Sequence, residues 1–446
     1  MKPSWHKYLS LRTPRYTSYP SALYFDDSVN AAQFGKKLKT VDLYQPLSIY
    51  VHIPFCRQLC WYCGCNMRVE NNYNRALNYV DAVLDEIRIV SRYLEGAGRP
   101  VSVHFGGGTP NYLQADDLGR ILNTIELELG LTHDARLAIE LDPRLIREGD
   151  FPRLAALGFT RMSLGVQDLD PDVQKAINRI QSFELIENCV SAMRKSGIND
   201  VAFDILYGLP KQTPKNFAAT IEKVIALGPD RLSVFGYAHL PSALPRQRMI
   251  NNQDLPCESM RRDLADLADE ALVSAGYVRI GFDHYAKPDN PLAIAVREKR
   301  LRRNFQGFTD DIAKASIGVG ASAISFINGL YAQNEKDIRS YCSAVNAQQL
   351  PAVRGVVRST RDEVVADAIS QLLCEFKTDL SAIFTHCAPH ETERITLGLN
   401  AMEEDGLICR HGTTLIINDD AHSLCRAVAA AFDPYIYAEK PLARAV

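Results

Sequence analysis

The sequence predicts an α/β fold: an open, six-stranded β/α partial barrel of the TIM type, with an N-terminal arm and a mainly helical C-terminal domain. Between residues 47 and 240, short apolar β-rich runs alternate with amphipathic stretches whose apolar residues recur three and four positions apart. This alternation is typical of parallel strands joined by crossover helices. Because six such units are too few for the eight of a closed barrel, we expect an open barrel whose mouth admits a large ligand.

The elements follow one another in a regular order along the chain. The predicted strands span residues 47–53, 101–105, 137–141, 161–165, 201–207 and 231–237. The predicted helices between them span residues 74–93, 116–129, 183–196 and 215–226.

Beyond residue 240 the alternation ends, and the last hundred residues look helical, with a small β element near residues 406–417. The first 45 residues contain several tyrosines and prolines but no strong period. We therefore expect three regions: an arm or lid at 1–45, a catalytic β/α domain with a C-terminal extension at 46–345, and a mainly helical domain at 346–446.

Composition and charge exclude several classes of partner. With 46% hydrophobic residues among 446, the chain can bury a sizeable core. Its net charge of -3, from 50 Lys and Arg against 53 Asp and Glu, gives no general attraction for nucleic acid or an anionic membrane. The N-terminus has no apolar signal-like segment, and the longest apolar stretch is far shorter than the ~20 residues that span a bilayer. We expect a cytoplasmic protein without a membrane or nucleic-acid partner.

The strongest chemical signal is a run of cysteines directly after the first strand. Cys56, Cys60 and Cys63 stand four and three positions apart, and Cys65 follows. Iron-sulfur clusters usually have four cysteine ligands, so a cluster held by three leaves one iron open to chelate a small molecule. Zinc held by all four cysteines is the alternative, although four ligands within ten residues depart from the usual paired zinc spacing. The other seven cysteines are scattered and are expected to be packing residues.

Further informative residues stand where the predicted strands end, which is where barrels and open α/β sheets place their chemistry. Three consecutive glycines in the segment HFGGGTP follow the second strand and permit a close approach between backbone and ligand. Later strand ends carry Glu140, Gln167, Asp204 and Ala238. Each of these alone is also compatible with a structural role, but the series indicates a site at the barrel mouth.

The spacing C-x3-C-x2-C resembles that of the radical S-adenosylmethionine superfamily. The resemblance implies that Cys56, Cys60 and Cys63 hold a 4Fe-4S cluster, which reduces S-adenosylmethionine and releases a 5'-deoxyadenosyl radical. HFGGGTP resembles the segment that lines the methionyl group of S-adenosylmethionine in that superfamily. In such enzymes the cofactor carries the chemistry, and the protein positions it and excludes side reactions.

Longer motifs resemble the oxygen-independent coproporphyrinogen III oxidase family, from about residue 14 to residue 345. They are PRYTSYP, YVHIPFC with its cysteine run, FGGGTP, GVQD, INR, YGLPKQTP, DRLSVFGYAHLP and RNFQGF. The resemblance implies conversion of two propionates of coproporphyrinogen III to vinyl groups, which yields protoporphyrinogen IX for haem synthesis. It also implies a monomer that receives electrons from a reduced flavodoxin-type or ferredoxin-type donor.

The same resemblance implies two bound molecules of S-adenosylmethionine. Residues matched to the first are Tyr50, Gly107, Glu140, Ala238 and Ile324. Residues matched to the second are Tyr62, Gly108, Thr109, Gln167, Arg179 and Asp204. Cys65 matches a cysteine that the family requires without using it as a cluster ligand.

The N-terminal arm is expected to act as a lid on the barrel. Arg15 in PRYTSYP can grip a propionate through two hydrogen bonds, while Tyr16 and Tyr19 cover the apolar macrocycle. The alternative is that the arm packs on the outside of the barrel.

Two departures from the family pattern leave the substrate open. Gly236 replaces a residue such as Asn, and the segment around RNFQGF differs at both ends. The alternatives are a haem-trafficking chaperone and a paralogous radical enzyme that acts on another tetrapyrrole or a methyl acceptor. The chaperones resemble this family but lack the arm and have a residue other than cysteine at the position of Cys65, so both features favour the oxidase.

Overall fold

The computed structural model describes residues 3–9, 11 and 13–437. Their nineteen strands, numbered β1 to β19 in chain order, are Pro46–Ile53, Phe55–Cys56, Arg68–Val69, Arg99–Gly107, Arg136–Leu141, Phe159–Gln167, Asp200–Tyr207, Arg231–Gly236, Val278–Ile280, His284–Ala286, Arg302–Asn304, Gly307–Thr309, Ala315–Val319, Ile324–Ile327, Leu330–Asn334, Ala352–Val357, Lys377–Asp379, Ile408–His411 and Thr414–Ile417.

The described residues also form fifteen α-helices. In chain order, α1 to α15 are His6–Leu9, Ala31–Leu38, Tyr73–Leu94, Ala115–Leu129, Asp150–Ala156, Pro171–Ala176, Phe183–Lys195, Pro214–Leu227, Glu258–Ser274, Pro291–Arg297, Ile338–Asn346, Thr360–Glu375, Ser381–His386, Pro389–Glu404 and Cys425–Ala430. None of the described helices is both long and apolar enough to cross a bilayer.

The six predicted strands lie side by side in one twelve-stranded sheet, and each pairs in parallel with the next. The order across the sheet is β16-β15-β14-β13-β1-β4-β5-β6-β7-β8-β10-β9. Strand β13 pairs in parallel on the free side of β1, and antiparallel strands extend both ends. The two edge strands, β16 and β9, are not paired with each other, so the barrel is open. The predicted α/β class and open barrel are confirmed.

Alternation along the strands separates a covered face from a functional face. In β1, Leu47, Ile49 and Val51 are fully or almost fully buried among residues of the flanking helices. Tyr50 and His52, at alternate positions, point to the opposite face, as the two-residue period of a strand requires. The apolar residues at alternate positions predict the covered face of the strand, and the residues between them line the inner face.

Local signals also explain where the helices begin. The motif YGLPKQTP ends with Thr213 capping α8: its hydroxyl accepts the backbone N–H of Asn216, whose side chain accepts the N–H of Thr213. Pro214 occupies the first helical position, where its missing N–H costs nothing. The motif is therefore partly a helix start, and its tight turn holds β7 against α8.

A second core joins the N-terminal arm to the C-terminal region. Arm residues Trp5, Tyr8 and Leu9 pack in one cluster with side chains from α12, α14, α15 and the small sheet of β17, β19 and β18. The strands β18 and β19 confirm the β element expected near residues 406–417. Strand β16 belongs to the main sheet although it lies beyond residue 345, where the sequence predicts the end of the catalytic region.

Candidate active site

The glycine-rich segment packs directly on the chain that leads into the cysteine loop. Gly108 donates its backbone N–H to the carbonyl of Ile53 at 2.9 Å. A Cβ on Gly108 would stand 3.0 Å from the backbone of Pro54 and Phe55, so a side chain there would push the two segments apart. This contact places the Thr109 hydroxyl 3.3 Å from the Cys56 sulfur.

The INR motif holds the cysteine loop from the other side. Trp61 donates its N–H to the carbonyl of Ile177 at 3.0 Å, and the Asn178 side chain donates to the carbonyl of Leu59 at 2.8 Å. Arg179 completes the motif beside Cys60. A motif that is distant in sequence therefore fixes the loop in place.

Two guanidinium groups reach the sulfur of Cys60. Arg144 lies 3.5 Å from it and Arg179 lies 3.6 Å from it, and Asp142 bridges both arginines at 2.6 and 3.1 Å. The Nε of Arg179 is buried and has no hydrogen-bond partner within the protein. Buried positive charge beside Cys60 suits thiolate ligands, because it lowers the cost of their negative charge.

The cysteines differ in how readily they lose a proton. A hydrogen bond from Cys65 lowers the pKa of Cys63 to about 6, whereas burial raises the pKa of Cys56 to about 12. Among the described residues, no three or more His, Cys, Asp or Glu side chains form a group that could hold a single metal ion. In a four-iron cluster each thiolate binds a different iron atom, so the sulfur atoms stand farther apart.

Several residues matched to the first S-adenosylmethionine molecule lie together on the inner face. Glu140 hydrogen-bonds the His104 ring at 2.9 Å and accepts the backbone N–H of Gly107 at 3.3 Å. The Tyr50 ring stacks on His104 with centroids 5.9 Å apart. Tyr50, Gly107 and Glu140 therefore surround one point at the ends of β1, β4 and β5.

The other two residues of that set lie on opposite sides of this point. In the paired strands Tyr50 stands beside Gly318, and a Cβ on Gly318 would meet the carbonyl of Ile324 at 2.6 Å. Ile324 is therefore close to Tyr50. Ala238 follows β8, at the far end of the row of parallel strands.

The second set gathers around the ends of β6 and β7. Arg179 donates to the carbonyl of Gly165 at 2.6 Å, and Asp204 stands beside Gly165 in the paired strands. Burial raises the pKa of Asp204 to about 6, with a further contribution from Glu140. Gln167 has a left-handed backbone with φ of 65°, which is uncommon for a residue other than glycine. Of the remaining members of the set, Gly108 and Thr109 lie beside Cys56, and Tyr62 lies within the cysteine loop.

The arm reaches the barrel mouth through Arg15. Its guanidinium donates to the carbonyl of Gly236 at 2.8 Å and lies 5.1 Å from the centroid of Phe235. Arg15 lines a cavity of about 890 Å³ next to the end of β8. The cavity is lined by five arginines and five aspartates: Arg15, Arg261, Arg262, Arg279 and Arg426, with Asp266, Asp269, Asp283, Asp419 and Asp420.

Tyr16 and Tyr19, which the sequence predicts to cover the macrocycle, do not line this cavity. Both rings are buried in the second core with C-terminal side chains, and the Tyr16 hydroxyl donates to Asp433 at 3.2 Å. They therefore attach the arm to the C-terminal region. Arg15 alone of these three lines the cavity.

The sequence gives no signal for a further residue of this site, Gln247. Its side-chain N–H donates to the carbonyls of both Tyr62 and Ala238 at 3.0 Å, and its oxygen accepts the N–H of Leu240 at 2.5 Å. The side chain is 1% exposed. Gln247 thus ties the cysteine loop to the loop after β8, from an irregular segment that no periodic pattern marks.

The fold and the site define a class. A partial β/α barrel with a three-cysteine loop after its first strand and a glycine-rich segment after its second is typical of radical S-adenosylmethionine enzymes. A family model described as the Radical SAM superfamily matches residues 50–224.

Relatives that align over nearly the whole chain narrow this class. The chain is 38% identical over 436 residues to the oxygen-independent coproporphyrinogen III oxidase of Bradyrhizobium diazoefficiens, covering 97% of this chain and 96% of that protein. It is 40% identical over 430 residues to the enzyme of the same name from Escherichia coli strain K12, covering 95% and 93%. The chain belongs to the oxygen-independent coproporphyrinogen III oxidase family.

A solved structure supports the same conclusion. Coproporphyrinogen III oxidase (HemN) from Escherichia coli, described as a radical SAM enzyme, matches with a TM-score of 0.89 at 38% identity. The match covers 94% of this chain and 97% of that chain.

Membership in this family implies a 4Fe-4S cluster and S-adenosylmethionine as cofactors, and the residues present fit them. Three thiols lie on one loop, two of them buried, with guanidinium groups at Cys60. The glycine segment leaves room that side chains would fill: a Cβ on Gly107 would stand 2.6 Å from the His52 ring. The unpartnered Nε of Arg179 can bind an anionic group of a ligand.

Proposed function

We propose that this protein catalyses the oxygen-independent oxidative decarboxylation of coproporphyrinogen III to protoporphyrinogen IX in haem biosynthesis. Two propionates become vinyl groups, and each loses a hydrogen atom, carbon dioxide and one electron. The observation that carries the proposal is the meeting of the cysteine loop, the glycine segment and polar strand ends at an open barrel mouth, beside an arginine-lined cavity.

When bound, the cluster would supply the electron that cleaves S-adenosylmethionine, and the radical so formed would remove a hydrogen atom from the substrate. The protein's own residues position the reactants. Cys56, Cys60 and Cys63 hold the cluster, and the buried arginines at Cys60 balance its thiolate charge. The arm, which reaches the barrel mouth through Arg15, helps to keep water away from the reacting atoms.

We assign two S-adenosylmethionine molecules to the two sets of residues described above. Glu140 accepts hydrogen bonds from the first molecule, and Tyr50 packs against it. Arg179 binds the carboxylate of the second molecule, and Asp204 accepts from its polar groups. Gly107 and Gly108 allow both to approach the backbone. Cys65 acts in decarboxylation without holding the cluster.

The proposal extends to the partners and surroundings of the protein. The enzyme acts as a cytoplasmic monomer and receives electrons from a reduced flavodoxin-type or ferredoxin-type protein. It binds neither nucleic acid nor membrane, because its net charge of -3 provides no general attraction to either.

Anaerobic turnover tests the reaction directly. Reconstituted protein, S-adenosylmethionine, a reductant and coproporphyrinogen III should give a product with two vinyl groups and two fewer carboxylates, identified by mass and absorption after oxidation. Cys63→Ser protein is the matched control and should give none. Wild-type protein that holds its cluster and cleaves S-adenosylmethionine but leaves all four propionates intact would contradict the proposed substrate.

A further inference from the structure

Strand β6 ends in a strained turn whose central residue is Gln167. The backbone N–H of Asp168 donates to the carbonyl of Val166 at 2.8 Å, which closes a three-residue turn. Gln167 has a φ of 65° at the centre of this turn, and the pairing of β6 with β7 changes register there. A three-residue turn with a positive central φ is the rare, strained form of the γ-turn. Such a conformation persists only where the surrounding structure holds it.

The side chain of Gln167 lies beside Arg179. Gly165 stands two residues before Gln167 and has no side chain. A Cβ on Gly165 would lie 2.9 Å from both the side-chain nitrogen of Gln167 and Nη2 of Arg179. The two groups therefore converge over Gly165, where the second set of residues gathers.

The carboxylate of Asp168 is held by three neutral donors. Asp168 is fully buried, and its carboxylate accepts hydrogen bonds from the hydroxyl of Thr220 at 2.9 Å and the side-chain N–H of Gln212 at 2.6 Å. The backbone N–H of Asp170 is the third donor, at 2.7 Å. Thr220 lies on α8, and Gln212 belongs to the motif YGLPKQTP. The turn is therefore tied to the segment that follows β7.

Two further buried glutamines hold the backbone on both sides of Gln167. Gln174 donates to the carbonyl of Asp168 at 2.9 Å, and its side-chain oxygen accepts the backbone N–H of Gln181 at 3.0 Å. Gln181 donates to the carbonyl of Val166 at 2.5 Å. Because these donors are buried, a change in the turn would leave some of them without partners, which is costly.

We propose that Asp168 is a positioning residue for the second S-adenosylmethionine molecule, because it holds the turn that keeps Gln167 beside Arg179. Gln212 and Thr220 share this role by holding the carboxylate of Asp168. The proposal rests on the function proposed above, which assigns Gln167 and Arg179 to that molecule. A preformed pair of side chains loses little conformational freedom when the ligand binds, so the strain of the turn is offset in binding.

The strain predicts opposite effects on stability and on binding. Gln167→Gly relieves the backbone, since glycine adopts a positive φ without steric cost, and it should raise the midpoint of thermal unfolding. It should also weaken one of two S-adenosylmethionine sites by roughly tenfold. Glu95→Gly is the matched control, because Glu95 ends α3 with a φ of 52° and bonds only the exposed Lys39 through its printed side-chain contact. It should leave both sites within about twofold of the wild type.

Discussion

The barrel and the region formed by the arm and the C-terminal residues obey different rules. In the barrel, each strand, helix and glycine turn is encoded by residues next to it in sequence, as the capping box at Thr213 and the alternation in β1 illustrate. In the second core, residues 5–19 pack against residues 365–432, and no local pattern announces that contact. The comparison teaches that the cluster site is local in origin, while the substrate end depends on long-range packing.

The cluster ligands should show the largest effect and confine it to the barrel. Each of Cys56→Ser, Cys60→Ser and Cys63→Ser should abolish iron-sulfur absorbance and cleavage of S-adenosylmethionine, because three thiolates are the minimum for this cluster. The folded core should persist, as measured by circular dichroism and thermal unfolding. Iron content after anaerobic reconstitution is the direct measurement.

Cys65→Ser is the matched variant within the same loop. It should keep its iron and cleave S-adenosylmethionine yet lose vinyl product, since Cys65 lies beside Cys63 through a 3.4 Å contact without being a ligand. Loss of iron along with activity would contradict this separation and make Cys65 a fourth ligand.

The second core can be broken without touching the barrel. Trp5 is 2% exposed, and its indole N–H donates to the carbonyl of Asp405 at 2.8 Å. Trp5→Ala should lower the free energy of unfolding of this core by about 3–5 kcal/mol, through the cavity that it leaves. Leu11→Ala, at an exposed position of the same arm, should change it by less than about 0.5 kcal/mol. Denaturant unfolding measures both, and equal values would detach the arm from this core.

Arg15 tests the lid more cleanly than deletion of the arm. Removing residues 1–20 also removes Trp5, Tyr8, Tyr16 and Tyr19 from the second core, so lost activity would mix binding with unfolding. Arg15→Ala leaves that core intact and should raise the KM for coproporphyrinogen III by roughly tenfold or more. The cluster and uncoupled cleavage of S-adenosylmethionine should be unchanged. An unaltered yield of vinyl product in Arg15→Ala would defeat the lid.

The same contrast explains how far the sequence could predict the molecule. The six strands, their order and the cysteine loop follow from local period and spacing, and the structure reproduces them. The pairing of β13 with β1 and the burial of Tyr16 and Tyr19 could not be predicted, because each depends on a partner more than 250 residues away in the chain. Arg426 was missed for the same reason, since nothing near it in sequence indicates a ligand.

Gln247 joins the two rules and should show the smallest effect. Gln247→Glu removes the N–H donors to the carbonyls of Tyr62 and Ala238 and sets a carboxylate against them, which loosens the cysteine loop from the loop after β8. We expect the KM for S-adenosylmethionine to rise by roughly tenfold, or about 1.4 kcal/mol, while iron content is unchanged. The exposed Gln253→Glu is the control and should match the wild type. A purely structural role would lower stability and leave the KM unaltered, so anaerobic kinetics and thermal unfolding, measured on the same preparations, separate positioning from folding.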